Sequence, residues 1–298
     1  MRFTLLIILV IISMGFIFWK DINHVMDNIK APKNQNKEKK ISNKESPDPS
    51  SSGVSVIKKW DLPKELKEVS GIAYLDQNTF ACVQDENGII FIYNRSSNKI
   101  EKEISFAGGG DYEGLTVKGS MAYVVRSDGR IFEVDLNGGN PSVKEYDTPL
   151  TSDHNVEGFC FDKKNNRLLL AIKDEEPGNK NYKGIYAFNL STKTLAKEPV
   201  LQIDLNDKIL NAATGKKSKT IKPSALGIHP VTNDLYITDG PEAKMLIMDA
   251  TGTIKNFVSL GKDFAQPEGI TFSPQGDIFI SNEGTKQPGN IMQVKINY

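Results

Sequence analysis

A short motif recurs five times after residue 54 and limits the possible folds of this chain more than any other feature. The copies read VSGIAYL from residue 69, YEGLTV from 112, VEGFCF from 156, PSALGI from 223 and PEGITF from 267. Each copy is followed by a turn, a second apolar run and a third run such as IIFIY or GIYAFNL. Short runs between Gly, Asn, Asp and Pro turns are typical of β-strands, and no long stretch has helical periodicity. The chain is therefore predicted to be all-β.

The spacing of the copies matches the blade of a β-propeller. The equivalent positions are Ser70, Glu113, Glu157, Ser224 and Glu268, and the successive spacings are 43, 44, 67 and 44 residues. Four-stranded propeller blades repeat every 40–50 residues or so. The long interval contains a polar insertion at residues 206–222. We predict a five-bladed β-propeller of four-stranded antiparallel blades over residues 54–298.

The last blade lacks a fourth strand within its own repeat. Fourth strands are recognisable in blades one to four as KIEKEISF, PSVKEYD, PVLQIDL and TIKNFVSL. Residues 55–62, SVIKKWDL, alternate like a strand and belong to no other blade. Because an unpaired sheet edge invites aggregation, we predict that this run closes the ring as the outer strand of blade five. The insertion enters the first strand of blade four, so it should lie on the same rim as the motif glutamates, where it could cover the channel mouth as a lid or be a solvated loop.

The first 53 residues are predicted to lie outside the propeller. Residues 3–19 form an uncharged run of 17 residues, which is near the lower limit for a membrane-spanning helix. The run ends in aromatic residues that suit a membrane interface better than a cleavage site. We expect an uncleaved anchor helix at residues 1–20 and a disordered linker at 21–53. Lysines after the run oppose the positive-inside rule, so charge alone does not fix the orientation.

Charge and cysteine content argue against two classes of function. After residue 53 there are 29 basic and 32 acidic side chains, whereas nucleic-acid binders usually present a basic field. Cys82 and Cys160 each lie in an apolar strand-like run, and neither belongs to a CxxC pair. They are predicted to be buried free thiols rather than metal ligands or a disulfide.

The motif itself predicts an acidic site at one mouth of the channel. Inner strands surround the channel, so Glu113, Glu157 and Glu268 should point toward a shared axis. Carboxylates this close repel one another unless their pKa values rise or a cation neutralises them. Oxygen ligands in irregular geometry favour Ca²⁺ over Mg²⁺ and Zn²⁺. Hairpin pairing brings the ends of the second strands to the same rim, and the predicted metal ligands are Glu113, Glu157, Glu268, Asp85, Asp239 and Asn282.

Other interpretations of this rim stay open. The glutamates could bond to backbone amides and hold the blades in register without an ion. Arg126 and Lys173 end second strands there, and they could bind an anionic ligand or pair with nearby glutamates. His154, beside the third motif, is a weak catalytic candidate as general base of a hydrolase.

These motifs resemble the SdiA-regulated family of bacterial envelope proteins, which are distantly similar to NHL-repeat propellers. The resemblance rests on the SGI, EGL, EGF and EGI starts and on second strands ending ACVQDE, YVVRSD, LLAIKDE, YITDG and FISNEG. It covers residues 55–298 and implies a five-bladed propeller, a calcium ion at a recurrent site and no established reaction. Serine replaces glutamate in blades one and four, so the ion is expected off-axis, toward blades two, three and five.

We therefore expect a calcium-binding propeller that acts as a binding module without an assigned reaction. The anchor and the resemblance together place it at the plasma membrane as a single-pass protein, with the propeller on the extracytoplasmic side. Its partner would be an unknown protein or small ligand at the channel mouth, and nucleic acid is not expected. The alternative is a calcium-dependent hydrolase, such as a lactonase, an esterase or a phytase-like enzyme.

Overall fold

The computed structural model describes residues 53–137, 141–214 and 220–297. The anchor predicted at residues 1–20, and the linker apart from its last residue, lie outside the described residues. Among the described residues, no helix has the length and apolar character needed to span a membrane.

Five antiparallel sheets follow one another along the chain, and each is one blade. The chain starts with β1 (Val54–Asp61) and a 3₁₀ turn at Lys64–Leu66. Blade one contains β2 (Val69–Tyr74), β3 (Thr79–Gln84), β4 (Asn87–Asn94) and β5 (Lys99–Gly109), and blade two contains β6 (Tyr112–Lys118), β7 (Met121–Arg126), β8 (Ile131–Asp135) and β9 (Val143–Tyr146). Blade three contains β10 (Val156–Asp162), β11 (Arg167–Ile172), β12 (Tyr182–Asn189), β13 (Thr194–Leu195) and β14 (Leu201–Asp204), and is followed by α1 (Lys208–Thr214). Blade four contains β15 (Pro223–Ile228), β16 (Leu235–Asp239), β17 (Lys244–Met248) and β18 (Ile254–Ser259), and blade five contains β19 (Pro267–Phe272), β20 (Ile278–Asn282) and β21 (Asn290–Ile296).

The N-terminal strand closes the ring, as the sequence predicted. β1 pairs antiparallel with β21, from Val54 opposite Ile296 to Asp61 opposite Asn290. It thereby supplies the fourth strand of blade five, in the sheet order β1, β21, β20, β19. The two ends of the propeller are tied together, so the edge of the last blade is covered.

The outer edge of blade three differs from the single strand that the sequence predicted. β13 pairs with the end of β12, while β14 pairs with its start. The N–H groups of Ala196 and Val200 still donate to β12, at 2.8 Å each, and the residues between them leave the sheet. Pro199 lies in this gap, and a proline has no N–H to donate to a neighbouring strand.

The insertion at residues 206–222 is anchored to the core. Its helix α1 lies against β18, the outer strand of blade four. Leu210 and Ile221 are fully buried in the apolar cluster between blades three and four. Each described end of the insertion therefore packs one side chain into the core, and the lid and the solvated loop both stay predictions.

The hydrophobic core consists of five clusters, one in each interface between neighbouring blades. Between blades five and one, Phe80 packs edge-to-face on Phe279, with ring centroids 5.1 Å apart. Between blades one and two, Phe106 packs in the same way on Tyr112, at 5.0 Å. Cys82 and Cys160 are buried and unpaired, as predicted. Most of the buried apolar surface therefore lies between the blades.

The five inner strands form a ring in which each one contacts the next, and β19 closes against β2. The glycine of the EG motif lies where two of these strands meet. A Cβ atom on Gly114 would lie 2.5 Å from the Cβ of Phe159 on the adjacent inner strand. Only glycine fits at this distance, which explains why glycine follows the glutamate of the motif.

Candidate functional site

The second residue of the motif lies on a β-bulge in every blade. The pairing of the first two strands shifts register between Val69 and Gly71 in blade one, and at the equivalent place in the other four. The bulged residues are Ser70, Glu113, Glu157, Ser224 and Glu268. A bulged residue has no partner across the ladder, and the local twist redirects its side chain. The same β-bulge, repeated in all five blades, thus places a ring of five side chains at one end of the channel.

The two serines of this ring form hydrogen bonds between neighbouring blades. Ser70 Oγ donates to the backbone oxygen of Tyr112 at 2.6 Å, and Ser224 Oγ donates to that of Pro267 at 2.6 Å. Each serine therefore joins its blade to the next one. Both hydroxyl hydrogens are used in these bonds between blades, in agreement with a site displaced toward blades two, three and five.

A cavity of about 140 Å³ opens at this mouth of the channel. We call it the acidic mouth, because six carboxyl groups line it. The lining residues are Glu68, Val69, Ser70, Asp85, Glu113, Glu157, Lys173, Gln266, Glu268 and Glu283. They come from blades one, two, three and five, so the cavity lies off the channel axis and away from blade four.

Three carboxylate oxygens in the acidic mouth are buried without a hydrogen-bond partner. They are Oδ1 of Asp85, Oε2 of Glu157 and Oε1 of Glu268. Glu157 is 3% exposed and Glu268 is 6% exposed. Buried polar atoms are nearly always paired, and an unpaired one costs about 1–3 kcal/mol, more if it is charged. These oxygens are therefore suited to a ligand that neutralises them.

Burial and mutual repulsion disfavour the charged forms of these carboxyl groups. Burial, with the field of Glu68 next in size, raises the pKa of Asp85 to about 6. Burial likewise raises the pKa of Glu268 to about 7. Burial also raises the pKa values of Glu113 and Glu157 well above the ordinary range, with the field of Glu157 next in size for Glu113 and the field of Glu268 acting on Glu157. In the ion-free protein the carboxyl groups therefore take the first of the two alternatives, raised pKa values, and the binding of a cation stays a prediction.

One basic side chain lines the acidic mouth. Lys173 Nζ lies 2.6 Å from Oε1 of Glu157, and Asn155 Nδ2 donates to the same oxygen at 3.2 Å. Burial alone would lower the pKa of Lys173, but the fields of Glu157 and Glu268 raise it overall. The expected pairing of Lys173 with a nearby glutamate is confirmed.

Two of the six predicted ligands do not line this cavity. Asp239 is buried in blade four, where its two oxygens accept the N–H groups of Lys222 and Glu242 at 3.1 Å each. Asn282 donates through Nδ2 to Asn290 at 3.0 Å, and its Oδ1 has no partner. The other four, Glu113, Glu157, Glu268 and Asp85, are brought together. Among the described residues, no three His, Cys, Asp or Glu side chains meet as a preformed metal centre.

Two further residues that the sequence predicts at the rim do not line the acidic mouth. Arg126 forms a two-point ion pair with Asp128, with distances of 2.6 and 3.0 Å, rather than pairing with a glutamate as expected. His154 accepts the N–H of Thr151 through Nδ1 at 3.0 Å, as a local turn would use it. Its role as a general base stays an untested prediction. None of the described residues of the insertion lines the acidic mouth either.

Glu68, Gln266 and Glu283 are lining residues that the ligand prediction omitted. Glu68 and Gln266 each lie two residues before the bulge of their blade. Side chains alternate along a strand, so residues two apart share a face. The same position holds Asn155 in blade three. This period of two was the signal that could have found Glu68 and Gln266, whereas Glu283 directly follows a second strand.

Known proteins give the family and the fold. Residues 54–286 match the sequence model of the SdiA-regulated family. No curated protein matches the chain. The structure resembles the glutaminyl cyclase of Myxococcus xanthus, with a TM-score of 0.60 and 15% identity over 82% of this chain and 96% of that one.

Two more solved structures are similar. One is a protein of unknown function from Bacteroides thetaiotaomicron, with a TM-score of 0.52 and 17% identity over 77% of this chain and 58% of that one. The other is the aldose sugar dehydrogenase of Streptomyces coelicolor, with a TM-score of 0.50 and 12% identity over 84% and 99%. At these identities the likeness concerns the fold alone. The family match covers most of the chain, and the chain therefore belongs to the SdiA-regulated family.

Proposed function

We propose that this propeller is a binding module of the bacterial envelope whose acidic mouth holds a calcium ion. The observation that supports the proposal is the group of three buried carboxylate oxygens without partners around one cavity. Ionised oxygens without partners destabilise a folded protein. A cation at this place would neutralise them and would stabilise the fold.

The chemistry of the lining residues fits Ca²⁺. All the candidate donors are oxygens, and Ca²⁺ accepts six to eight oxygen ligands in flexible geometry, whereas Mg²⁺ needs a tight octahedron. The cavity of about 140 Å³ has room for an ion and several waters, because a single water needs only ~10–15 Å³. Glu113, Glu157, Glu268 and Asp85 would hold the ion, and waters would complete its shell.

The ligand set proposed from the structure is narrower than the one predicted from the sequence. Asp239 uses both carboxylate oxygens on backbone N–H groups, and neither Asp239 nor Asn282 lines the cavity. The four remaining carboxyl groups come from blades one, two, three and five. An ion bound by them would join these blades and present a positive centre to an anionic group of a protein or small ligand.

The envelope placement rests on the N-terminal run and on the family. Residues 3–19 are uncharged over 17 positions, which suits a single membrane anchor. An extracytoplasmic propeller would meet calcium at the concentrations that weak extracellular sites require, about 10⁻⁴–10⁻³ M. A fractionation experiment with protease protection of intact cells tests the placement, and cleavage only after lysis would contradict it.

Thermal unfolding of the full-length protein in EDTA and in about 1 mM Ca²⁺ tests the proposal. A ligand that binds only the folded state raises its stability, by about 1.4 kcal/mol at ten times Kd. We expect Ca²⁺ to raise the Tm by several degrees. Glu113→Gln and Glu268→Gln should each remove most of this rise. Glu103→Gln, an exposed change on the outer strand β5, is the matched control and should keep it.

Two outcomes of the melts would contradict the proposal. One is an unchanged Tm of the wild type at millimolar Ca²⁺. The other is an equal rise in the wild type and both site variants, which would place the ion elsewhere. Mg²⁺ at the same concentration should give a smaller rise, because its octahedron fits an irregular set of carboxylates poorly.

A further inference from the structure

Lys173 occupies a position at which each of the other four blades has a different residue. It directly follows the second strand of blade three, and its N–H donates to the oxygen of Asn155 at 2.9 Å. The equivalent residues of the other blades are Asp85, Ser127, Gly240 and Glu283. The fold therefore does not require a lysine here. The amine that lies among the six carboxyl groups is a feature of this sequence, and the propeller architecture does not require it.

The contacts of Lys173 put its charge where a cation would bind. Nζ lies 2.6 Å from Glu157 Oε1, and the other oxygen of that carboxylate has no partner. The fields of Glu157, Glu268 and Glu113 all act on the amine. Glu157 and Glu268 are more than nine-tenths buried, and each has an unpaired oxygen. The lysine thus neutralises one carboxylate and leaves the others without a counter-charge.

The side chain of Lys173 also has a way out of the cavity. It is 20% exposed, whereas that of Glu157 is 4% exposed. A lysine side chain has four methylene groups and can move its ammonium group into water at low cost in hydration. Its one hydrogen bond through Nζ among the described residues is the bond to Glu157. Leaving the cavity therefore breaks a single contact.

An ammonium and a divalent cation cannot share Glu157 in this arrangement. Ca²⁺ binds carboxylate oxygens at about 2.3–2.6 Å, close to where Nζ lies, and two positive charges at such a separation repel strongly in a partly buried site. We propose that Lys173 is an internal competitor for the divalent cation: it neutralises Glu157 in the ion-free protein and withdraws to solvent when the ion binds. This inference rests on the proposed calcium site and adds what limits the affinity of that site for the ion.

The competition has a consequence for affinity and for the ion-free fold. Displacing Lys173 uses part of the binding free energy, so the affinity for Ca²⁺ is lower than the carboxylates alone would give. In exchange, the ion-free mouth keeps one of its buried carboxylates paired.

Calorimetric titration of Ca²⁺ into the full-length protein tests the competition. Lys173→Met removes the charge and keeps an unbranched apolar side chain, so we expect at least about tenfold tighter binding. Lys173→Arg keeps a charge and should bind within about threefold of the wild type. Lys180→Met removes an exposed lysine outside the lining of the cavity and should also stay within about threefold.

The outcomes separate this inference from the calcium proposal. Equal or weaker binding by Lys173→Met, with clear binding by the wild type, would overturn the competition and leave the calcium site standing. Binding by none of the four proteins would overturn both.

A second measurement uses only the wild-type protein and does not depend on a folded variant. Amine acetylation with a water-soluble ester can be followed at Lys173 by mass spectrometry, with Lys180 as the internal reference. If Ca²⁺ drives the amine into solvent, the ratio of the two labelling rates should rise by at least about threefold over the ratio in EDTA. A ratio that stays constant or falls at saturating Ca²⁺ would show that Lys173 is not displaced.

Discussion

The two mouths of the channel differ in charge and width, although the same five inner strands form both. The acidic mouth has six carboxyl groups around about 140 Å³. The opposite end, which we call the wide mouth, encloses about 560 Å³ and has one charged lining residue, Lys163. Its surface is formed by residues four positions after each bulge, namely Tyr74, Val117, Phe161, Ile228 and Phe272.

A narrow apolar waist separates the two mouths. The residues two positions after each bulge are Ile72, Leu115, Phe159, Leu226 and Ile270, and they are all buried. The space at their level is only about 10 Å³. Each inner strand thus presents three successive residues to the channel, one at the acidic mouth, one at the waist and one at the wide mouth. The waist closes the inner end of the acidic mouth, and burial of the carboxyl groups there raises their pKa values.

The largest predicted effect comes from opening the waist. Phe159→Ala removes a ring that is buried between two inner strands, and such changes cost about 3–5 kcal/mol. Phe161→Ala, at the wide mouth, should cost less, because Phe161 is only half-buried. Guanidinium unfolding of both variants measures the difference. Equal losses would show that the waist is no better packed than the wide mouth.

The close approach of the inner strands can be tested at the motif glycine. Gly114→Ala puts a Cβ 2.5 Å from that of Phe159 and 3.2 Å from the oxygen of Glu157. The backbone must move at both contacts, so we expect a loss of about 2–3 kcal/mol in unfolding free energy. Gly108→Ala, with nothing within 4 Å of the added atom, should change it by about 0.5 kcal/mol or less. A tolerated Gly114→Ala would mean that the strands can separate freely.

The acidic mouth should make the ion-free protein less stable as pH rises. Burial raises the pKa of Glu268 from 4.5 to about 7, so the folded state holds this proton more tightly than the unfolded state. That extra stability is complete below pH 4.5 and is lost as pH rises through 7, and Glu157 and Glu113 extend the loss to higher pH. In EDTA we expect at least about 2 kcal/mol less stability at pH ~8.5 than at pH ~5.5.

The control for this pH dependence removes two of the groups. A protein with both Glu113→Gln and Glu268→Gln should show a smaller loss over the same pH range in denaturant titrations. Saturating Ca²⁺ should also reduce the loss in the wild type, because the ion stabilises the charged carboxylates. Stability in EDTA that is flat or increases over this range would contradict the burial of these groups.

The smallest predicted effect concerns a serine that replaces glutamate at the bulge. Ser224→Ala removes the bond to the oxygen of Pro267 in the next blade, and we expect a loss of about 1 kcal/mol. Ser259→Ala, at an exposed position, should be neutral in the same thermal melts. Calcium binding by Ser224→Ala should be unchanged, since Ser224 does not line the acidic mouth. A loss of binding would mean that blade four contributes to the site after all.

The sequence predicted the repeat, the closing strand and the shared rim of the motif glutamates, whereas it did not predict the β-bulges. Strand period and blade spacing are local signals, and they place Glu113, Glu157 and Glu268 at one rim without any coordinates. The hydrogen-bond partners of a rim side chain do not follow this period. Asp239 turns to two backbone N–H groups of its own blade, and hairpin proximity alone cannot show this.

Local chemistry, and not periodicity, explains two details of the structure. They are the break in the outer strand of blade three and the contact of Lys173 with Glu157. Pro199, the first residue of the predicted strand, has no N–H to donate, and hydrogen bonding to β12 resumes at Val200. Lys173 was recognised as a rim residue, but its approach to Glu157 depends on how far the carboxylate is buried. Periodic patterns therefore predict where a side chain lies, and desolvation decides what it pairs with.

The most direct test of the account is a crystal structure of the protein grown in millimolar CaCl₂, with anomalous scattering used to locate the ion. We predict one calcium peak in the acidic mouth, in contact with oxygens of Glu113, Glu157 and Glu268, with Lys173 withdrawn and no peak in the wide mouth. An acidic mouth without a peak, with the Lys173–Glu157 pair intact, would contradict the account.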